Sequence, residues 1–151
     1  MSFKIRDYMY EDSAGQPKFD FKKSSFCPAF WMALYYKGNN QGLKPCCSIE
    51  GYATRTDQGN PIEPTIENYN KTDFVQSLKQ TFLDNKFHKN CHTCVRDERH
   101  GQQSDRMAMF EWVKTWEDVD RLQHLIDNDK LELWHLDYRP SNLCNLKCRM
   151  C

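Results

Sequence analysis

The chain has 151 residues, 39 % of them hydrophobic and 13 % aromatic, with Lys plus Arg matched by Asp plus Glu at 21 each. That aromatic content excludes a disordered chain. The zero net charge excludes the basic field by which proteins gather nucleic acid or an anionic membrane surface, leaving a small molecule or peptide as the expected partner.

The N-terminus, MSFKIRDYMYEDSAG, carries Lys4, Arg6, Asp7, Glu11 and Asp12 and has no apolar run fit for a signal peptide or a membrane span. A cytoplasmic location is therefore expected. In that reducing compartment thiols stay free, and clustered cysteines act as metal ligands rather than as bridges. The apolar content is thin against the usual ~45–50 %, and the eight cysteines supply the reinforcement that thin cores need.

Residues 1–24 are polar and aromatic and form a lead-in to which no function is assigned. Next, FCPAFWMALYYKGNNQGLKPCCSI has two apolar runs separated by GNNQG, the pattern of a β-hairpin, entered by Cys27 and left by the pair Cys46 and Cys47. Its aromatic set Phe30, Trp31, Tyr35 and Tyr36 is expected in core and cross-strand packing. After the Gly/Pro/Thr-rich stretch Gly51 to Pro64, YNKTDFVQSLKQTFLDNKF spaces Phe74, Leu78, Phe82 and Leu83 as a helix capped by Thr72 or Asp73, and leads to Cys91 and Cys94.

A second helix, WEDVDRLQHLIDND, aligns Trp116, Val119, Leu122 and Ile126. KLELWHLDYRP then reads as a strand closed by Pro140, apolar on both faces and so expected in the interior of a sheet. The fold class expected is α+β, a hairpin and helices around a cysteine-ligated metal site.

The final letters, CNLKCRMC, set Cys144, Cys148 and Cys151 in a C-x3-C-x2-C spacing. Soft thiolates select zinc, copper(I) or iron–sulfur clusters. Structural zinc wants a fourth ligand. Three thiolates from one loop suit a cubane with one iron left open for a substrate.

DYRPSNLCNLKCRMC resembles the signature of radical S-adenosylmethionine (radical SAM) enzymes. The resemblance implies that KLELWHLDY is the first strand of a partial β/α barrel. Cys144, Cys148 and Cys151 would then ligate a [4Fe-4S] cluster whose open iron chelates S-adenosylmethionine, with Met150 near the adenine. One-electron reduction, from a donor such as flavodoxin or ferredoxin, would cleave the cofactor to a 5′-deoxyadenosyl radical that abstracts a substrate hydrogen. Most of the barrel is expected beyond residue 151, which makes this chain a catalytically incomplete N-terminal part.

Upstream, adjacent strand residues face opposite ways, so Cys46 and Cys47 do not both face one centre. One of them, with Cys27, Cys91 and Cys94, makes a closed four-thiolate site suited to a cubane or to zinc. FCPAF, KPCC, FHKNCHTC and RDERHGQQSDR together resemble the twitch module, the short form of the SPASM auxiliary-cluster domain. That resemblance implies an auxiliary [4Fe-4S] cluster on Cys27, Cys46, Cys91 and Cys94, with Cys47 spare. It also implies a peptide or protein substrate, the commonest task of relatives with such modules.

The expected organisation is a lead-in over 1–24, the twitch-like module over 25–110, a helical link over 111–130 and the start of the radical SAM domain over 131–151. Such a module ordinarily follows the barrel, and here it precedes the motif. The competing reading is a noncatalytic zinc or iron–sulfur module for structure or electron transfer. His88 and His92 beside the C-x2-C pair, with Lys89, Arg96 and Arg99, are expected to be solvated or to offset cluster charge. Asp137 and Arg139 are either neutral strand-end groups or within reach of the cofactor.

Overall fold

The computed structural model describes residues 3–37, 42–50 and 65–139. A short hairpin opens the chain: β1 (Met9–Glu11) pairs antiparallel with β2 (Pro17–Phe19). Its turn closes on Asp12, whose Oδ1 accepts from the N–H groups of Ala14 and Gln16 at 2.9 Å, while Gly15 takes the left-handed φ of 76° that a side chain would oppose. The lead-in is part of the core. Ile5 and Phe19 are buried in the same cluster as the later helices.

The aromatic run after Cys27 does not enter a strand directly. Pro28, at φ −75°, starts a single helical turn, α1 (Ala29–Met32), before β3 (Ala33–Lys37) extends. β3 pairs antiparallel with β4 (Gly42–Lys44), as the hairpin pattern requires, and the loop between them lies outside the described residues. Phe30, Trp31 and Tyr35 are buried, and Phe26 stacks on Trp31 at 5.2 Å.

Two helices replace the one expected after Pro64. α2 (Ile66–Lys71) and α3 (Asp73–Leu83) meet at Thr72, whose hydroxyl accepts from Val75 N–H and so caps α3. α3 buries Val75, Leu78 and Phe82, leaving Phe74 and Leu83 only partly covered. α4 (His92–Arg99) and α5 (Asp105–Met109) follow. Then comes α6 (Trp116–Asp127), started by a capping box between Thr115 and Asp118 and burying Val119, Leu122, Leu125 and Ile126.

The last described strand departs from expectation twice. β5 (His135–Arg139) begins four residues later than Leu131, because the preceding segment runs beside the α1 turn instead of a strand. There Glu132 N–H donates to Trp31 O and Trp134 N–H to Met32 O at 3.0 and 2.9 Å. β5 pairs parallel with β3, and the sheet order β4-β3-β5 puts it at an edge among the described residues. Its apolar residues are not interior: Leu136 is 52 % and Tyr138 62 % exposed. Tyr138 keeps one partner, stacking on Tyr36 at 5.3 Å. No helix among the described residues is long and apolar enough to cross a membrane.

Candidate metal centre

Cys27, Cys46, Cys91 and Cys94 line one cavity, together with apolar side chains that include Phe30, Ile49 and Phe82. Each arrives on a different local device. Cys27 precedes the Pro28-initiated turn. Its approach is fixed by Asn85, whose Oδ1 accepts from Ser24 Oγ and from Ser25 N–H, both at 2.8 Å. Asn85 itself closes α3 at a φ of 57°, a conformation that asparagine tolerates better than most residues.

Cys46 lies in the bend after β4, closed by Lys44 Nζ donating to Ile49 O at 2.9 Å. Cys91 ends a 3-10 turn and Cys94 follows in the first turn of α4, a three-residue separation that puts both on one helix side. Asn90 stitches the two loops together. Its carbonyl accepts from Glu50 N–H at 3.1 Å and its amide donates to Glu50 O at 2.9 Å.

Cys47 stands apart, exposed, with Sγ donating to Asp105 Oδ2 at 3.3 Å. The same carboxylate accepts from the Ser48 hydroxyl. The neighbouring cysteines thus diverge, although they sit in a bend beyond β4 and not on a strand. His88 serves locally, its Nδ1 accepting from Asn90 N–H at 3.2 Å. His92 is 54 % exposed, 3.9 Å from the Glu50 carboxylate. Asp137 and Arg139 pair with each other at 2.8 Å, Arg139 lying over the Tyr35 ring. Cys144, Cys148, Met150 and Cys151 lie outside the described residues.

Burial dominates the electrostatics. It pushes the Cys27 thiol far up, helped by Cys46 and Cys91, and pushes Cys46 far up, helped by Cys94 and Cys91. Cys91 is pushed up to about 12 by burial and then by Cys94, with the Arg106 guanidinium opposing. Cys94 is raised by burial as well. Backbone N–H groups act the other way: Ala29 on Cys27, Ser48 and Ile49 on Cys46, Arg106 and Asp105 on Cys94. The metal-free thiols are thus neutral at physiological pH, yet amide dipoles already point at three of them. A bound cation reverses the balance, because a coordinating thiol deprotonates and the amides then meet charged sulfur.

Arg106 anchors the wall. Only 2 % exposed, it pairs with Glu98 and donates from Nη1 to the carbonyls of Ser24 and Phe26 at 2.8 and 3.2 Å. One side chain therefore ties α5 and α4 to the segment that enters Cys27. Ser104 caps α5 through Met107 N–H and donates to Glu98 at 2.6 Å. The string Ser104, Asp105 and Arg106 thereby acquires a structural role that its bare letters do not disclose.

Comparison with family models, with curated proteins and with solved structures returns no match to this chain.

Among the described residues no three His, Cys, Asp or Glu side chains converge tightly enough to hold one ion as they stand. A zinc tetrathiolate would need four bonds of about 2.3 Å to a common point. The enclosed cavity is about 20 Å³, room for about one water molecule. The four thiols surround one space without closing on its centre. The donor set nevertheless fits a metal–thiolate centre: four thiols around one space, with backbone amides aimed at three of them.

Proposed function

We propose that Cys27, Cys46, Cys91 and Cys94 hold an auxiliary [4Fe-4S] cluster, and that Cys144, Cys148 and Cys151 hold the [4Fe-4S] cluster of a radical SAM enzyme acting on a peptide or protein. The observation that carries the first half is the meeting of four thiols, from three distant segments, around one cavity with apolar walls. The second half rests on the likeness of CNLKCRMC to the radical SAM signature. Cys144, Cys148 and Cys151 would hold the cluster that binds S-adenosylmethionine, and the bound cofactor would supply hydrogen-abstraction chemistry once an electron reaches the cluster from a donor such as flavodoxin or ferredoxin.

The chain's own residues have narrower tasks. The upstream thiols bind the auxiliary centre. Ala29, Ser48, Ile49, Asp105 and Arg106 offer backbone N–H groups to ligand sulfur, which raises and sets a cluster's potential. Phe30, Ile49 and Phe82 exclude water. Met150, by the resemblance, would occupy the apolar position near the adenine.

Zinc on the same four thiolates is the second reading, favoured by the small enclosed volume. Anaerobic reconstitution with iron and sulfide separates the two. The proposal expects about eight irons per chain, falling by half when Cys27, Cys46, Cys91 and Cys94 become serine and by half when Cys144, Cys148 and Cys151 become alanine. It also expects S-adenosylmethionine to perturb the cluster spectrum only while the C-terminal three are intact. One zinc retained in air, with no iron taken up, would establish the second reading.

A further inference from the structure

Cys46 and Cys47 are the same ligand twice, one residue apart, yet only Cys46 lines the cavity. On a strand the pleat would turn them to opposite faces. Both, however, lie in the bend beyond β4, which ends at Lys44, so strand alternation does not decide which sulfur turns inward. Their Cα atoms are about 3.8 Å apart, and exchanging the two sulfurs needs no more than a local turn of the bend.

The ends of that bend are pinned. Lys44 Nζ donates to Ile49 O at 2.9 Å, and Glu50 exchanges two hydrogen bonds with Asn90, at 3.1 and 2.9 Å. Its middle is held by one oxygen of Asp105: Oδ2 accepts from Cys47 Sγ at 3.3 Å and from the Ser48 hydroxyl. Asp105 is the first residue of α5 and itself lines the cavity. The residues on either side of it are fixed, Ser104 as the cap of α5 and Arg106 as the buried partner of Glu98, so the carboxylate is presented from a rigid mount.

We propose that Asp105 selects the fourth ligand of the tetracysteine centre: by holding Cys47 and Ser48 outward, it turns Cys46 rather than Cys47 into the cavity. The inference rests on the metal centre proposed above and adds to it a positioning residue that acts through the ligand's neighbours. Hydrogen bonds to a carboxylate are charge-assisted and stronger than neutral ones. Both bonds end on the same oxygen, so a carboxamide oxygen can replace it where a methyl group cannot.

The test asks whether Cys47 takes over once it is released. All variants are made in the full chain with Cys144, Cys148 and Cys151 replaced by alanine, so that the upstream centre alone reports, and are loaded anaerobically with iron and sulfide. Cys46→Ser is expected to yield its iron to a chelator about 100-fold more readily than the parent, the upper end of what losing an outer-shell partner costs. Cys47→Ser is expected to behave as the parent. Adding Asp105→Ala to Cys46→Ser is expected to recover most of the lost retention, and the recovery should vanish when Cys47 is also serine. Asp105→Asn, which keeps an accepting oxygen, should not rescue. Damage to the fold does not restore a ligand, so this gain separates selection from a structural role. Asp105→Ser, also too short to reach the bend, repeats the test should alanine unfold the chain. In the metal-free protein a maleimide should label Cys47 and spare Cys46, and Asp105→Ala should bring label onto Cys46.

A double variant as iron-poor as Cys46→Ser alone would overturn the inference, as would Cys46→Ser retaining iron through Cys47 while Asp105 is intact, or Cys46 staying unlabelled after Asp105→Ala. If Asp105→Ala alone strips the centre as Cys46→Ser does, Asp105 is a ligand and not a selector. If the parent holds no iron, or holds it equally after Cys27, Cys46, Cys91 and Cys94 become serine, the centre itself is refuted and this inference falls with it. A failed rescue with that four-cysteine dependence intact refutes the role of Asp105 alone.

Discussion

Helix α6 and the cysteine cavity are built by different means within one molecule. α6 turns Val119, Leu122, Leu125 and Ile126 to one side and starts on a capping box, so its position follows from a local pattern and the burial of one face. The cavity draws Cys27, Cys46 and the Cys91/Cys94 pair from segments whose mutual placement depends on Asn85, Asn90 and Arg106. Apolar burial degrades gradually when trimmed. A clamp that spans distant segments fails as a unit when one partner goes.

The largest effect expected from this contrast is at Arg106. Replacing it with methionine keeps bulk but strands the partly buried Glu98 and leaves the carbonyls of Ser24 and Phe26 without their donor. A loss of about 3–5 kcal/mol in chemical denaturation of the metal-free chain is expected, with weaker metal retention because the Cys27 approach loosens. Removing the acid as well, in Arg106→Met with Glu98→Met, should recover part of that loss. A single variant within about 1 kcal/mol of the parent would show that the clamp is no more than a surface ion pair.

Leu122→Ala is the counterpart on the other side. Leu122 is fully buried on α6, and its truncation should cost about 2–5 kcal/mol with the value set by how far the site collapses. Metal bound per folded molecule should not change, since α6 supplies no residue to the cavity wall. If Leu122→Ala lowers metal stoichiometry as much as Arg106→Met does, core and cavity are one cooperative unit and the comparison dissolves.

The same contrast explains how much could be read from the letters. Period located β4, α3 and α6 and the second half of the first hairpin run, because those elements are decided by neighbours in sequence: Thr72, one of the two caps expected, caps α3, and α6 starts on a Thr115–Asp118 capping box that the periodicity alone did not name. Cys27, Cys91 and Cys94 could be picked out from the letters with one of Cys46 and Cys47, and the choice of Cys46, which lines the cavity, came only from the likeness to the twitch module. The start and surroundings of β5 could not be picked out. Its ladder begins only where β3 begins at Ala33, and its burial depends on what lies beside it, leaving Leu136 and Tyr138 in solvent. In the letters Arg106 is only the last of RDERHGQQSDR and has no role, since a buried arginine's partners are defined by long-range packing. On α3, Leu78 and Phe82 are buried as the spacing predicts, whereas Val75 and Lys79 are buried in place of Phe74 and Leu83.

Lys79 occupies a core position on α3 at 2 % exposure, its Nζ bonded to Asn70 Oδ1 and Asp129 Oδ1 at 2.6 Å and poised over the Trp31 ring at 5.2 Å. Burial lowers its pKa from 10.5, and Asp129 only partly restores it. In the window between the lowered folded value and 10.5, the unfolded chain holds a proton that the folded chain does not, so stability rises with pH there. Below that window both states are protonated and the cost of burying the charge is carried in full. Asp129 is half exposed and can be hydrated when left alone. Lys79→Met should therefore keep the stability of the parent within about 1 kcal/mol at neutral pH. As the pH climbs toward 10.5, the difference should move in favour of the parent, because only the parent sheds the proton. Denaturant midpoints of the two proteins across that range measure it, and a difference that stays flat would mean the ammonium is as well solvated inside as out.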